Sequence, residues 1–268
     1  MNNTFHVKRF GWLLRKTLLE RRVQTLGLTA LVLGVSLIIY AFCKTVAGFG
    51  TAQNLTFIWG LSGGGCFMAS FVFGYFGSNA SGISYLTLPA SIFEKWLTGI
   101  LIGVILYPLI FLLFFRLMDA GFVMMYHNSL DPASFSYHSD YASVYTLPFN
   151  GRIALRVYNL FLLFTSISFL GSLYFNKVSF VKVALVFCAF CFFIFTLNWI
   201  IAKMFFGEIA GAFPFREVSI SIGKSMNPEE GGIILPERIY QITEFFFDYI
   251  MPVCLFTLVY LRLREKEF

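Results

Sequence analysis

Four residues in this 268-residue chain could do chemistry together: His127, Asp131, His138 and Asp140, which crowd between Met118 and Arg152. Imidazoles and carboxylates at close range can hold a metal or activate water. A zinc hydrolase, however, sets two histidines and a base on one helix face, as in H-E-x-x-H. Here His138-Ser139-Asp140 points neighbouring side chains apart on a strand or loop. The stretch is therefore expected to be a solvated outer loop, with Tyr126, Phe135, Tyr137, Tyr141 and Tyr145 as an interfacial aromatic belt. Two other motifs also carry less than their spacing suggests. Cys188-Ala189-Phe190-Cys191 has C-x-x-C spacing but lies inside an apolar run with no second pair or histidine beside it, so packing is expected. Gly223-Lys224-Ser225 ends like a phosphate-binding loop, yet the earlier glycine position holds Val218, and no phosphate cradle follows. An intramembrane enzyme is disfavoured as well, because no carboxylate or histidine pair falls at helical spacing within an apolar segment.

The elements that must position these residues follow from composition. The chain is 58% hydrophobic, contains 35 Phe and is only 13% charged, against about 25% in soluble domains. An all-α integral membrane protein is expected, as a single domain spanning residues 1–268. Crossing the hydrocarbon core takes about 20 apolar residues. Six runs of that kind fall at about 25–43, 57–77, 97–115, 153–175, 183–201 and 245–261. They leave no room for a soluble catalytic domain. The five cysteines, Cys43, Cys66, Cys188, Cys191 and Cys254, lie in or beside these runs and read as small buried hydrophobes rather than a disulfide framework. The first run follows more than twenty residues of charged chain, unlike a cleavable signal peptide.

Ahead of the first span, residues 5–20 place Phe10, Leu13, Leu14, Thr17 and Leu18 on one helical face and Lys8, Arg9, Arg15 and Lys16 largely on others. This pattern reads either as an interfacial amphipathic helix or as a basic flank that orients the first span, and both readings place it in the cytoplasm. Gly60, Gly63, Gly64 and Gly65 allow a close helix approach on the second span, for intramolecular packing or for a dimer seam. Arg116 and Asp119, three apart, are a candidate outer pair, and Arg156 with Asp248 is another. The long connection from Lys203 to Thr243 has apolar pieces, Ile209–Phe215 and Ile233–Leu235, that could enter the bilayer as re-entrant elements where protein covers them. Pro252 should kink the sixth span.

The net charge of +6 would suggest a nucleic-acid partner in a soluble protein, but here the basic residues gather at segment ends and set orientation, so no nucleic acid is expected. Six Lys and Arg lie up to Arg22 and three at the C-terminus, against Lys44 alone in the first outer loop, so both termini are expected on the cytoplasmic side of a bacterial inner membrane.

Between the second and third runs, Leu86-Thr87-Leu88-Pro89-Ala90-Ser91-Ile92-Phe93-Glu94-Lys95-Trp96 reads as a short helix starting near Pro89 at the membrane surface. Leu-Pro-Ala-Ser followed by an acidic-basic pair and an aromatic resembles the connection between the second and third helices of bacterial ABC-2 type permeases. The basic N-terminus and the C-terminal Tyr260-Leu261-Arg262-Leu263-Arg264-Glu265-Lys266-Glu267 add to the likeness. The resemblance implies a permease subunit of an ATP-driven exporter, working as a homodimer or as a heterodimer with a second permease. It implies a separate ABC ATPase that holds the ATP and Mg, since no cofactor site is expected in this chain. Leu88, Pro89, Ala90, Ser91, Glu94, Lys95 and Trp96 would contact that ATPase, and an interfacial helix with Phe10, Leu13, Leu14, Arg15 and Lys16 would assist it. A Phe-rich interior suggests a hydrophobic or amphipathic cargo. A membrane assembly protein without transport activity is the alternative.

Overall fold

The computed structural model describes residues 5–20, 22–77, 79–175, 179–207, 209–214, 217–222, 229–234 and 236–266. Gly223-Lys224-Ser225 and the centre of the connection at Asn176-Lys177-Val178 lie outside them. The described residues are mostly helical, and six helices among them are long and apolar enough to cross a membrane, so this is a multi-pass membrane protein. In chain order the helices are α1 (Val7–Glu20), α2 (Arg22–Ala47), α3 (Phe49–Val72), α4 (Asn79–Leu86), α5 (Ile92–Ser129), α6 (Tyr137–Ser143), α7 (Arg152–Tyr174), α8 (Ser179–Phe206) and α9 (Glu237–Glu265). The six spanning helices are α2, α3, α5, α7, α8 and α9.

Several boundaries differ from the expected ones for physical reasons. The polar residues 44–56 read as an outer loop, but α2 and α3 are joined by Gly48 alone, at φ 85, a left-handed conformation suited to glycine. The second span accordingly begins at Phe49 and ends at Val72 rather than covering 57–77, and a tight turn of helix follows at Gly74–Gly77. The third span, α5, runs for 38 residues, a rise of about 57 Å against a hydrocarbon core of about 30 Å, and thus continues well past the bilayer to Ser129.

Three π-helical turns interrupt the spans, at Trp59–Gly63, Leu101–Leu106 and Phe246–Ile250. The last two lie just before Pro108 and Pro252. A proline removes an N–H and clashes with the preceding turn, and a widened turn accommodates both effects; this is the form that the expected distortion at Pro252 takes.

The glycines of α3 serve contacts within the chain. A Cβ at Gly60 would meet the ring of Phe111, one at Gly64 would meet Tyr107 and Val32, and one at Gly65 would meet Phe161. The Tyr107 hydroxyl donates to the Gly60 carbonyl. With α2, α5 and α7 thus drawn onto α3, the core forms two clusters. One holds Tyr40, Phe57, Phe111, Phe115 and Phe161. The other holds Phe73, Phe76, Tyr85, Phe169 and Leu263, with Leu14 and Leu18 of α1 packed against it. The α8 helix stands apart: Val183 and Ala202 are its only buried residues among those described, and Phe192 and Phe193 are exposed.

The long connection before α9 holds a sheet instead of re-entrant elements. Strands β1 (Ile209–Phe213), β2 (Glu217–Ile222) and β3 (Glu229–Ile234) pair antiparallel in the order β1-β2-β3. Once paired with its neighbours, backbone that would be costly to bare in lipid is satisfied within the sheet.

The topology is open to a direct check. If the charge asymmetry sets both termini in the cytoplasm, Ser134→Cys, exposed beyond α5, is expected to react with a membrane-impermeant thiol reagent added from outside, and Ser84→Cys on α4 is not. Labelling of Ser84→Cys with protection of Ser134→Cys would reverse the orientation.

Candidate functional site

The residues that join the N-terminal helix to the α4–α5 connection form the most heavily bonded polar cluster among those described. Ser91 has extended backbone (φ −68, ψ 156) and caps α5: its hydroxyl accepts from the Glu94 N–H at 3.2 Å, while Glu94 accepts from the Ser91 N–H at 2.9 Å. This capping box satisfies the first N–H groups of the helix. It was readable in the sequence as Ser91-x-x-Glu94, and it places the helix start at Ile92, beyond Pro89.

Glu94 is fully buried and does more than cap. Arg9 of α1 approaches with Nε 2.8 Å from Oε2 and Nη2 2.8 Å from Oε1, a two-pronged pairing that a guanidinium makes well and an ammonium cannot. The His6 N–H adds a bond of 2.8 Å to Oε1. One carboxylate thus holds both the start of α1 and the start of α5. Its bond to Arg9 raises the guanidinium further above its ordinary value. Beside it Lys95 is also fully buried, and its Nζ donates to the Leu86 carbonyl at 2.8 Å, closing the end of α4 over α5. The Trp96 indole N–H donates to the Phe256 carbonyl at 3.1 Å, and its ring meets Tyr260 edge-on at 5.9 Å, which ties the same turn to α9.

The expected partner-contact residues therefore divide. Glu94, Lys95, Ser91 and Ala90 are buried inside this chain, and Leu88 and Trp96 are half-buried. The two charges expected at an outer contact are turned inward, because each finds backbone or side-chain partners within the fold. Pro89 is exposed, and with it Ile83, Thr87 and Phe93, which sequence reasoning passed over; together they make the open face of the connection. On α1, Leu13 is buried, Phe10 and Leu14 are half-buried, and Arg15 and Lys16 are exposed together with Trp12. The apolar face of this helix packs on the protein's own inner cluster.

At the other end of the spans neither expected ion pair forms. Asp119 is buried and accepts from the Tyr40 hydroxyl at 2.6 Å, from Gln53 Nε2 at 2.9 Å and from the Leu147 N–H at 2.7 Å. Gln53 also donates to the Tyr145 carbonyl at 2.8 Å, so α2, α3, α5 and the segment before α7 meet at one carboxylate. Arg116 instead lies over the Phe149 ring at 4.1 Å. Arg156 pairs with Glu244 at 3.4 Å, one turn before the expected Asp248, which accepts from Asn159 at 2.9 Å.

The histidine and carboxylate stretch is dispersed. His127 Nε2 lies 2.9 Å from the Val144 carbonyl oxygen and its ring stacks on Tyr141, while Asp131 accepts from the Ala133 N–H within its own turn. Among the described residues no three His, Cys, Asp or Glu side chains come together as metal ligands. Comparison with protein-family models, with curated proteins and with solved structures gave no match.

Proposed function

We propose that this chain is the permease subunit of an ATP-driven ABC-2 type exporter, lying in a bacterial cytoplasmic membrane with both termini inside. A separate ABC ATPase binds ATP and Mg, two permease copies form the membrane path, and the cargo is hydrophobic or amphipathic. The observation that carries this reading is the Glu94 junction: a single buried carboxylate binds the basic N-terminal helix and the α4–α5 connection into one unit. Trp96 extends that unit to α9. A push on its exposed face, at Ile83, Thr87, Pro89 and Phe93, would reach three elements at once. In this reading α1 lies along the membrane surface with Trp12, Arg15 and Lys16 outward.

The test is co-expression with a candidate ABC ATPase. Ile83→Glu and Thr87→Arg alter exposed positions, where substitutions change stability by about ±0.5 kcal/mol, and both variants should insert normally. They are expected to lose co-purification of the ATPase and stimulation of its turnover. Unchanged complex formation and stimulation in both variants would remove the connection from the coupling path.

A further inference from the structure

Packing is open between α7 and α8, where Met251 of α9 reaches the gap. A groove of about 450 Å³ opens there, lined by Leu170, Gly171, Val183, Val186, Phe190 and Met251. Nothing polar projects into its length. Its outer wall is α8, and Val186 and Phe190 are more than half exposed. In a membrane such a slot is filled by a hydrocarbon chain.

One end of the groove is different. Tyr174 and Phe175 close it, and each ring carries a cation: Arg262 of α9 lies 4.5 Å over Tyr174, and Lys182 of α8 lies 5.8 Å over Phe175. Arg262 Nη1 also binds Glu265 at 2.6 Å, which uses one edge of the guanidinium, while Arg262 Nε is buried with no hydrogen-bond partner among the described residues. A buried N–H left without a partner is costly, and an anionic oxygen is the group that would satisfy it. Arg262 lies on the last turn of α9 and Lys182 on the first turn of α8, helix-end positions from which long basic side chains reach lipid headgroups.

We infer that this groove is a binding site for an anionic phospholipid, with an acyl chain between α7, α8 and α9 and the phosphate held by Arg262 and Lys182. The lipid comes from the leaflet at which α9 ends. It fills the gap beside α8 and fastens that helix to the bundle. This site is separate from the Glu94 junction and does not depend on the chain's being a transporter.

Native mass spectrometry of the full chain, released from nanodiscs of phosphatidylcholine mixed with phosphatidylglycerol, tests the assignment. Phosphatidylglycerol is expected to be retained in preference to phosphatidylcholine. Lys182→Gln/Arg262→Gln should reduce that preference about tenfold or more, since each basic residue near a headgroup contributes substantially to anionic-lipid binding. Lys182→Gln alone, at an exposed position, should produce part of the loss and serves if the double variant does not fold. Val186→Trp, which fills the groove from its open side, should reduce retention of both lipids. An unchanged preference in Lys182→Gln would overturn the assignment. So would Val186→Trp that dissociates an oligomer while leaving lipid retention intact, an outcome that places a second copy of the chain in the groove.

Discussion

Replacing Arg9 with methionine is expected to destabilise the protein and to release the N-terminal helix. Breaking an ion pair from one side strands the charge that remains, here the buried Glu94 carboxylate. Glu94 would keep only the neutral N–H groups of His6 and Ser91 as donors from α1 and the cap. The effect has a built-in control. In Arg9→Met/Glu94→Met no charge is stranded, so the double variant should be destabilised by less than the sum of its two singles, although it also loses the cap. Denaturant unfolding in detergent measures the stabilities, and protease access to residues 5–20 reports release of α1. A double variant as unstable as the sum of its two singles would show that Arg9 and Glu94 act independently, against the junction described here.

At the opposite end, Asp119→Ala is expected to cost about 3 kcal/mol or more. It leaves the Tyr40 hydroxyl, the Gln53 amide and the Leu147 N–H without their acceptor, and each orphaned donor carries a penalty of about 1–3 kcal/mol where water cannot reach it. Asp119→Asn separates the components. Its carbonyl oxygen can still serve Tyr40 and Gln53, but its amide group faces the Leu147 N–H, donor against donor. The helices should stay together while the segment from Val144 to Asn150 comes loose. Hydrogen exchange is the discriminating measurement: fast exchange confined to that segment in Asp119→Asn, and spreading into α2 and α3 in Asp119→Ala. Slow exchange at Leu147 in both variants would mean that Asp119 does not anchor the segment.

The bilayer makes some features of this chain legible and leaves others hidden. Six spans can be read off because the hydrocarbon core demands a minimum run of apolar residues, and each of the six apolar runs falls for most of its length in a spanning helix. Their ends cannot be read that way, since Phe49–Asn54 and the last turns of α5 continue as helix where apolarity is no longer required. Spacing suggested Arg116 with Asp119, but the donors that reach Asp119 come from Tyr40, Gln53 and Leu147, far off in the chain, and only packing brings them there. Two misses had signals. Ser91-x-x-Glu94 is a capping box, and Glu217-Val218-Ser219-Ile220-Ser221-Ile222 alternates polar and apolar residues with the period of a strand. The apolar pieces beside that alternation suggested membrane re-entry and drew attention away from it. Arg9 with Glu94 had no local signal, since the two lie on separate helices.

The one-residue turn at Gly48 has a consequence for how the protein is made. Of the six spans, α3 is the least apolar and the most enclosed, and it carries Gln53, Thr56, Ser62 and Ser70 as buried polar residues. Left alone in lipid, those groups would face hydrocarbon. With a single glycine between them, α2 and α3 have no slack to enter the bilayer at separate times, so they enter as a hairpin in which the strongly apolar α2 carries its partner across. Lengthening the turn at Gly48 would uncouple the two insertions and leave α3 dependent on helices that the ribosome has not yet delivered.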